Sequence, residues 1–141
     1  MKLCTDAITV YNNYTDPTTK YKVYLPTIIK NVSWFGEVQV LVGSDGLLSA
    51  DMYTVRIPED ADFGNKIYLD PKAFSAIPND EMPNYWTLSQ GDTIVKGAVS
   101  DTGENAKPAK LEAKYVDTIT IVSVTDNRTR PNAPHWKVVG K

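Results

Sequence analysis

The chain has one histidine, His135, and one cysteine, Cys4, near opposite ends of its 141 residues. A Cys–His nucleophile is the one pairing these two could make, and no local signature supports it. Cys4 reads as a tolerated thiol, and His135 beside Trp136 as a strand residue with a satisfied ring. Zinc needs several His or Cys ligands, so the sequence argues against a transition-metal site. Calcium needs only oxygen ligands, and Asp60, Asp62, Gly64 and Asn65 begin like an EF-hand loop. The match then fails: the glycine comes one place early, and Pro71 stands where a bidentate Glu is required. An acidic, solvated turn is the better reading, with an irregular calcium site near Asp60 and Asp62 left open.

There is no Gly-x-Ser-x-Gly elbow, no phosphate-binding loop and no dinucleotide fingerprint. The seventeen acidic residues could supply a carboxylate pair for glycoside hydrolysis, but nothing selects two of them. Asn-x-Ser/Thr triplets at Asn13, Asn31 and Asn127 matter only on a secretory route. The expectation is a protein with no catalytic residue, no cofactor and no metal.

The aromatic residues are the remaining lead. Phe63, Phe74, Tyr85 and Trp86 fall in or beside one irregular stretch. They either pin that stretch to the core or stand exposed as interface anchors, since aromatics are enriched in binding hot spots. Trp34, Trp86 and Trp136 could instead stack on sugars, which makes a carbohydrate-binding β domain the alternative function.

These residues need a scaffold, and the sequence predicts a mainly β one. Residues 1–141 fit a single domain able to bury most of its surface. The apolar fraction is 42% and the charged fraction 23%, which argues against disorder. Eight Tyr, three Trp and three Phe join strand stretches rich in Val, Ile and Thr. Nine Pro and eight Gly provide frequent turns. About eight short strands in a small barrel or sandwich follow, with a loop-helix insertion at 58–86.

The first strand carries Ile8 and Val10, and Asn12, Asn13, Asp16 and Pro17 supply turn chemistry after it. Tyr21, Val23 and Leu25 share a face of the second, which Pro26 ends or bends at an edge. Val38, Val40 and Val42 recur at period two, and Gly36 marks a possible bulge. Gly43-Ser44-Asp45-Gly46 is a tight-turn signal before a strand bearing Tyr53, Val55 and Ile57. Ile67 and Leu69 suggest a short strand. Asp70 and Pro71 read as the cap and first residue of a helix that Pro78 stops. Strands follow at Thr93–Val99, Thr118–Val124 and His135–Val139, with an apolar phase shift between Ile121 and Val122. A helical turn joins Leu111 to Tyr115.

The formal net charge of −2 does not suit a nucleic-acid binder. Arg128, Arg130, Lys137 and Lys141 form a locally basic end that reads as a solvated tail. Thr5 and Asp6 interrupt any N-terminal apolar run, so no signal peptide is expected. No stretch approaches the length of a membrane span.

Seven segments in order and spacing resemble a family of small structural proteins from long-tailed phages and prophages. They are Leu3 to Asn12, Ser33-Trp34-Phe35-Gly36, Ser49 to Tyr53, and Arg56-Ile57-Pro58. Gly91 to Gly97, Val124 to Arg128 and Ala133 to Val138 complete the set. The resemblance implies a minor capsid, head-closure or head–tail connector protein, made in the bacterial cytoplasm and then built into the virion. It implies partners among portal, adaptor and tail proteins, and a homo-oligomeric ring in the particle from a subunit that can be a monomer in solution. Contacts through 58–86 are part of that expectation; whether this stretch is ordered before assembly is left open by the sequence. A slightly acidic chain also suits a channel through which DNA must slide.

Overall fold

The computed structural model describes residues 5–16, 19–43, 46–78, 80–129 and 131–141; of 37–43, 46–51 and 104 it describes the backbone alone. Cys4, Pro17, Ser44, Asp45, Asn79 and Arg130 therefore lie outside the described residues.

The protein is mainly β. The strands are β1 (Asp6–Thr15), β2 (Lys22–Gly43), β3 (Gly46–Pro58), β4 (Ile67–Tyr68), β5 (Tyr85–Trp86), β6 (Thr93–Lys96), β7 (Thr118–Asp126) and β8 (His135–Gly140). Two short α-helices, α1 (Pro71–Ala76) and α2 (Pro108–Lys114), lie between strands. Six strands hydrogen-bond in the order β1-β2-β3-β8-β7-β6, and β6 pairs back onto β1. β2 and β7 each change partner midway. β2 pairs with β1 up to Val32 and with β3 from Ser33. β7 pairs with β6 through Thr118–Thr120 and with β8 from Ile121. The ring is thus divided into two facing sheets, a sandwich-like barrel.

The core lies between those sheets. Ile8, Val10, Ile29, Val55, Ile57, Ile94, Ile119, Ile121 and Val138 are buried there together. The other face of β1 is buried too, under a second, smaller cluster of Tyr11, Val95, Ala106 and Leu111. Leu111 comes from α2, so that helix exists to cover a barrel face. The polar groups of this face are all engaged. Thr9 Oγ1 donates to Gly97 O at 2.8 Å and accepts from Val99 N at 3.0 Å. Tyr11 Oη donates to Asp101 O at 2.9 Å, and burial pushes its pKa up to about 12.

Several expectations need correction. Asn12 and Asn13 are strand residues, not turn residues, because β1 runs on to Thr15. Pro26 does not end the second strand. Its carbonyl points away from β1 and accepts from Lys66 Nζ at 2.7 Å. In a strand the amide of the same residue points the same way, so the missing N–H falls on an open edge where no ladder bond is lost. Gly36 is not a bulge: it pairs in register with Tyr53. A Cβ there would lie 2.8 Å from Tyr53 Cε1, so the glycine makes room for a ring lying across it. The phase shift at Ile121 and Val122 is a real bulge, where the β7–β8 register slips. The basic end is not a tail; residues 135–140 are the strand β8, paired to both β3 and β7.

Residues 58–86 form the predicted excursion. Its first part covers the open edge of β2. Lys30 N donates to Asp62 O at 2.7 Å and Asp62 N to Lys30 O at 3.1 Å. An open edge is a pairing hazard, and this bridge occupies it. α1 follows the expected chemistry. Ala73 N donates to Asp70 Oδ1 at 2.9 Å, Pro71 begins the helix, and Ile77 is extended just before Pro78. The excursion returns through β5, which pairs in parallel with β4.

Candidate functional site

The sequence offered three kinds of site: a chemical one, an aromatic one, and the loops around them. Among the described chemical candidates, His135 is half-buried and Asp62 exposed, and each makes a local hydrogen bond. The His135 ring bonds through Nδ1 to Ala133 O at 2.8 Å, and Asn127 Nδ2 lies 3.5 Å from Nε2. A carbonyl can only accept, so Nδ1 carries a proton in this contact. Asp62 accepts from the Gly64 amide through Oδ1 at 3.0 Å, closing its own turn. Among the described residues, no three His, Cys, Asp or Glu side chains gather as metal ligands would.

The aromatic candidates separate. Trp86 and Phe74 are buried, so neither is an exposed anchor. Phe63 and Tyr85 are half-buried. Trp86 is the centre of a cluster. Its ring centroid lies 5.2 Å from Phe63, 5.0 Å from Tyr68 and 5.4 Å from Trp136. Such tilted and edge-on contacts are the favoured aromatic geometries. Arg128 covers the cluster, with Cζ 5.0 Å from the Tyr68 ring and 4.8 Å from that of Trp136. Asp126 fixes it there through a two-point ion pair, closest at 2.8 Å. These residues pin the excursion onto the barrel. The sugar platform meets the same obstacle: Trp86 and Trp136 are buried, and Trp34 packs on Tyr53 at 5.4 Å.

Two surfaces stand out, and neither was visible as a motif. The first is a cleft of about 820 Å³ between the end of β1 and the excursion. Phe74, Ile77, Pro78 and Met82 make an apolar wall, opposite Asn13, Tyr14 and Asp92. Asp92 is buried. Asn12 Nδ2 donates to its Oδ2 at 2.9 Å and Asn13 Nδ2 to its Oδ1 at 2.9 Å. Burial pushes its carboxyl up to about 6 against the pull of those donors. Asp80 also lines the cleft. Both Asp92 oxygens are occupied by the two asparagines, so it serves as a strut between β1 and the turn before β6. Asn12 extends the strut, donating to Thr87 O at 2.6 Å and accepting from Thr87 N at 3.1 Å.

The second surface is an arm. β3 pairs with β8 only from Tyr53 to Pro58. From Glu37↔Met52 to Gly43↔Gly46 the β2–β3 hairpin has no third strand among the described residues. It leaves the barrel as a ribbon of seven residue pairs, roughly 20 Å long at the usual strand rise. Among the described residues, no strand pairs with either of its outer edges. The segment 37–51 holds six Val and Leu residues, no Pro and no Lys or Arg. Proline and lysine are the residues that usually block an edge. The apolar pattern had been legible in the sequence; its position off the barrel had not.

Comparison with curated proteins and with solved structures gave no match. Residues 3–141 match a family profile described as "Family of unknown function (DUF6751)". Since the match covers nearly the whole chain, the protein belongs to that family.

Proposed function

We propose that this protein is a structural subunit of a phage or prophage particle, of the head-closure, head–tail connector or minor capsid type. It acts by binding other proteins and not by catalysis. The observation that carries this reading is the two-stranded arm of β2 and β3. A two-stranded ribbon is at best marginally stable in water and needs a third strand or a covering surface. The arm is therefore built to be completed by another chain, by strand addition along its open edges. The sequence resemblance supplies the setting, and the rest of the barrel, with its edges paired or covered, supplies a rigid base.

On this reading the subunit is a monomer before assembly and one member of a ring afterwards. Its partners are further copies and the portal, adaptor or tail proteins on either side. The test is to replace residues 38–51 with Asn-Gly, joining the cross-strand neighbours Glu37 and Met52 through a two-residue turn. The shortened protein is expected to melt within a few degrees of the parent. Particles made with it are expected to stall as DNA-filled heads without tails. Normal yields of infectious tailed particles would overturn the proposal.

A further inference from the structure

Among the described residues, no carboxylate answers the charge of Lys66. Its ammonium donates to Pro26 O at 2.7 Å and to Thr27 Oγ1 at 2.8 Å. A lysine has three N–H donors, and the third has no acceptor among the described residues. No carboxylate there pairs with it either. Burial holds its pKa below the ordinary lysine value, and no charged neighbour contributes. Asp62, in the same turn, is exposed and committed to the Gly64 amide.

The two bonds that Lys66 makes are structural: they cap the bent edge of β2. A neutral amide could do as much with no charge to desolvate, so the cap does not account for the ammonium. An anionic partner would offset the desolvation of this ammonium.

Space for such a partner lies beside it. A cleft of about 420 Å³ is lined by Ile28, Phe63, Val99, Ser100, Thr102 and Lys66, among others. Lys66 is the one charged residue among the described residues of that lining. Ile28 is 39% exposed, unusual for an isoleucine in the middle of a strand, and Phe63 and Val99 add to the same apolar wall. Ser100, Thr102 and Asn65 place hydroxyl and amide groups around the rim. An apolar slot with one cation and a few polar groups fits a carboxylate on an apolar stem better than a bare inorganic anion.

We propose that the cleft beside Lys66 captures the C-terminal carboxylate of a partner polypeptide that ends in an apolar residue. Lys66 takes the carboxylate, and Ile28, Phe63 and Val99 take the side chain. The site lies apart from the arm, and its occupancy does not depend on the assembly reading.

N-acetyl-leucine imitates such a chain end, and N-acetyl-leucinamide is the same shape without the charge. Each is titrated into the isotope-labelled full chain, followed by NMR. The acid is expected to bind with millimolar affinity, shift the signals of Ile28, Phe63 and Val99, and raise the Lys66 ammonium pKa. The amide should bind at least tenfold more weakly, and Lys66→Met should abolish that preference. If Lys66→Met fails to fold, the parent protein still decides: the preference must vanish as pH rises above the Lys66 pKa. Equal binding of acid and amide, shifts confined to other surfaces, or inorganic phosphate binding as tightly as the acid would each overturn the proposal.

Discussion

Asn12 and Asp92 meet through a buried 2.9 Å hydrogen bond across eighty residues of chain. The contact ties the middle of β1 to the turn that launches β6, two strands that are themselves paired. Asn13 adds a second donor from the same strand, at 2.9 Å. A carboxylate at this depth is costly, and the two amides offset only part of the cost. The floor of the larger cleft is therefore held by a group that prefers to be neutral.

That preference sets a pH dependence. The Asp92 carboxyl is raised from 3.8 to about 6. Between those values the native state binds the proton more tightly than the unfolded chain, so unfolding releases it. Stability is then greatest below about pH 4 as far as this group is concerned, and falls as pH rises through 6. A shift of about two units corresponds to roughly 3 kcal/mol. Urea titrations between pH 4 and 7.5 should show this loss in the parent and not in Asp92→Asn. The difference between the two proteins isolates the group, and an unchanged slope in the variant would place the effect elsewhere.

Two glycines allow close packing by different neighbours, and their substitution should differ accordingly. At Gly36 an added methyl meets the Tyr53 ring, which can swing aside at the expense of its contact with Trp34. At Gly140 it would lie 2.7 Å from Thr120 O, which is backbone of β7 and cannot swing. Overpacking of this kind costs about 1–3 kcal/mol, and Gly140→Ala should fall at or above the upper end while Gly36→Ala falls near the lower. Thermal melts of the two single variants decide the order. A Tyr53→Ala background should relieve Gly36→Ala.

What the sequence made legible was local or periodic. The helix from Pro71 could be read because Asp70, Pro71 and Pro78 act on their immediate neighbours. The bulge in β7 could be read because it displaces the apolar phase by one residue. Asn12 was misread for the same reason: in a local window an asparagine pair before Asp16 signals a turn, and its buried partners lie more than seventy residues away. Of the two readings of Pro26, an end of the strand or an edge position, only the edge fits, and which edge it is depends on where Lys66 and Asp62 return to β2. Phe63, Phe74, Tyr85 and Trp86 could be grouped by sequence. Whether they faced in or out depended on Tyr68 and Trp136, which belong to different strands.

The cap of α1 offers a bounded test of the excursion's independence. Asp70→Ala removes the side-chain acceptor for Ala73 N, a change that costs about 1 kcal/mol where the cap matters to the fold. α1 has six residues and buries Phe74, so its stability comes from docking more than from its own bonds. Global unfolding of Asp70→Ala should therefore weaken by no more than that amount. Phe74→Ala should cost about 3–5 kcal/mol, as a large buried ring does. Equal losses for the two would mean that the helix is held by its cap and not by its ring.

The excursion should also be ordered before any partner arrives, a point that the sequence left open. Its fixed points are internal: the reciprocal Lys30–Asp62 bonds, the Lys66 bonds to β2, and Trp86 among Phe63, Tyr68 and Trp136. Hydrogen exchange in the isolated protein reports each of them, because an amide exchanges only when its bond opens. The amides of Lys30, Asp62 and Leu69 should be protected nearly as well as those of β6, within a factor of about ten, or 1.4 kcal/mol of opening free energy. Amides at the exposed turn near Gly64 should exchange freely by comparison. If Lys30 and Asp62 exchange as fast as that turn, the edge of β2 is open in solution, and its cover forms only when another chain binds.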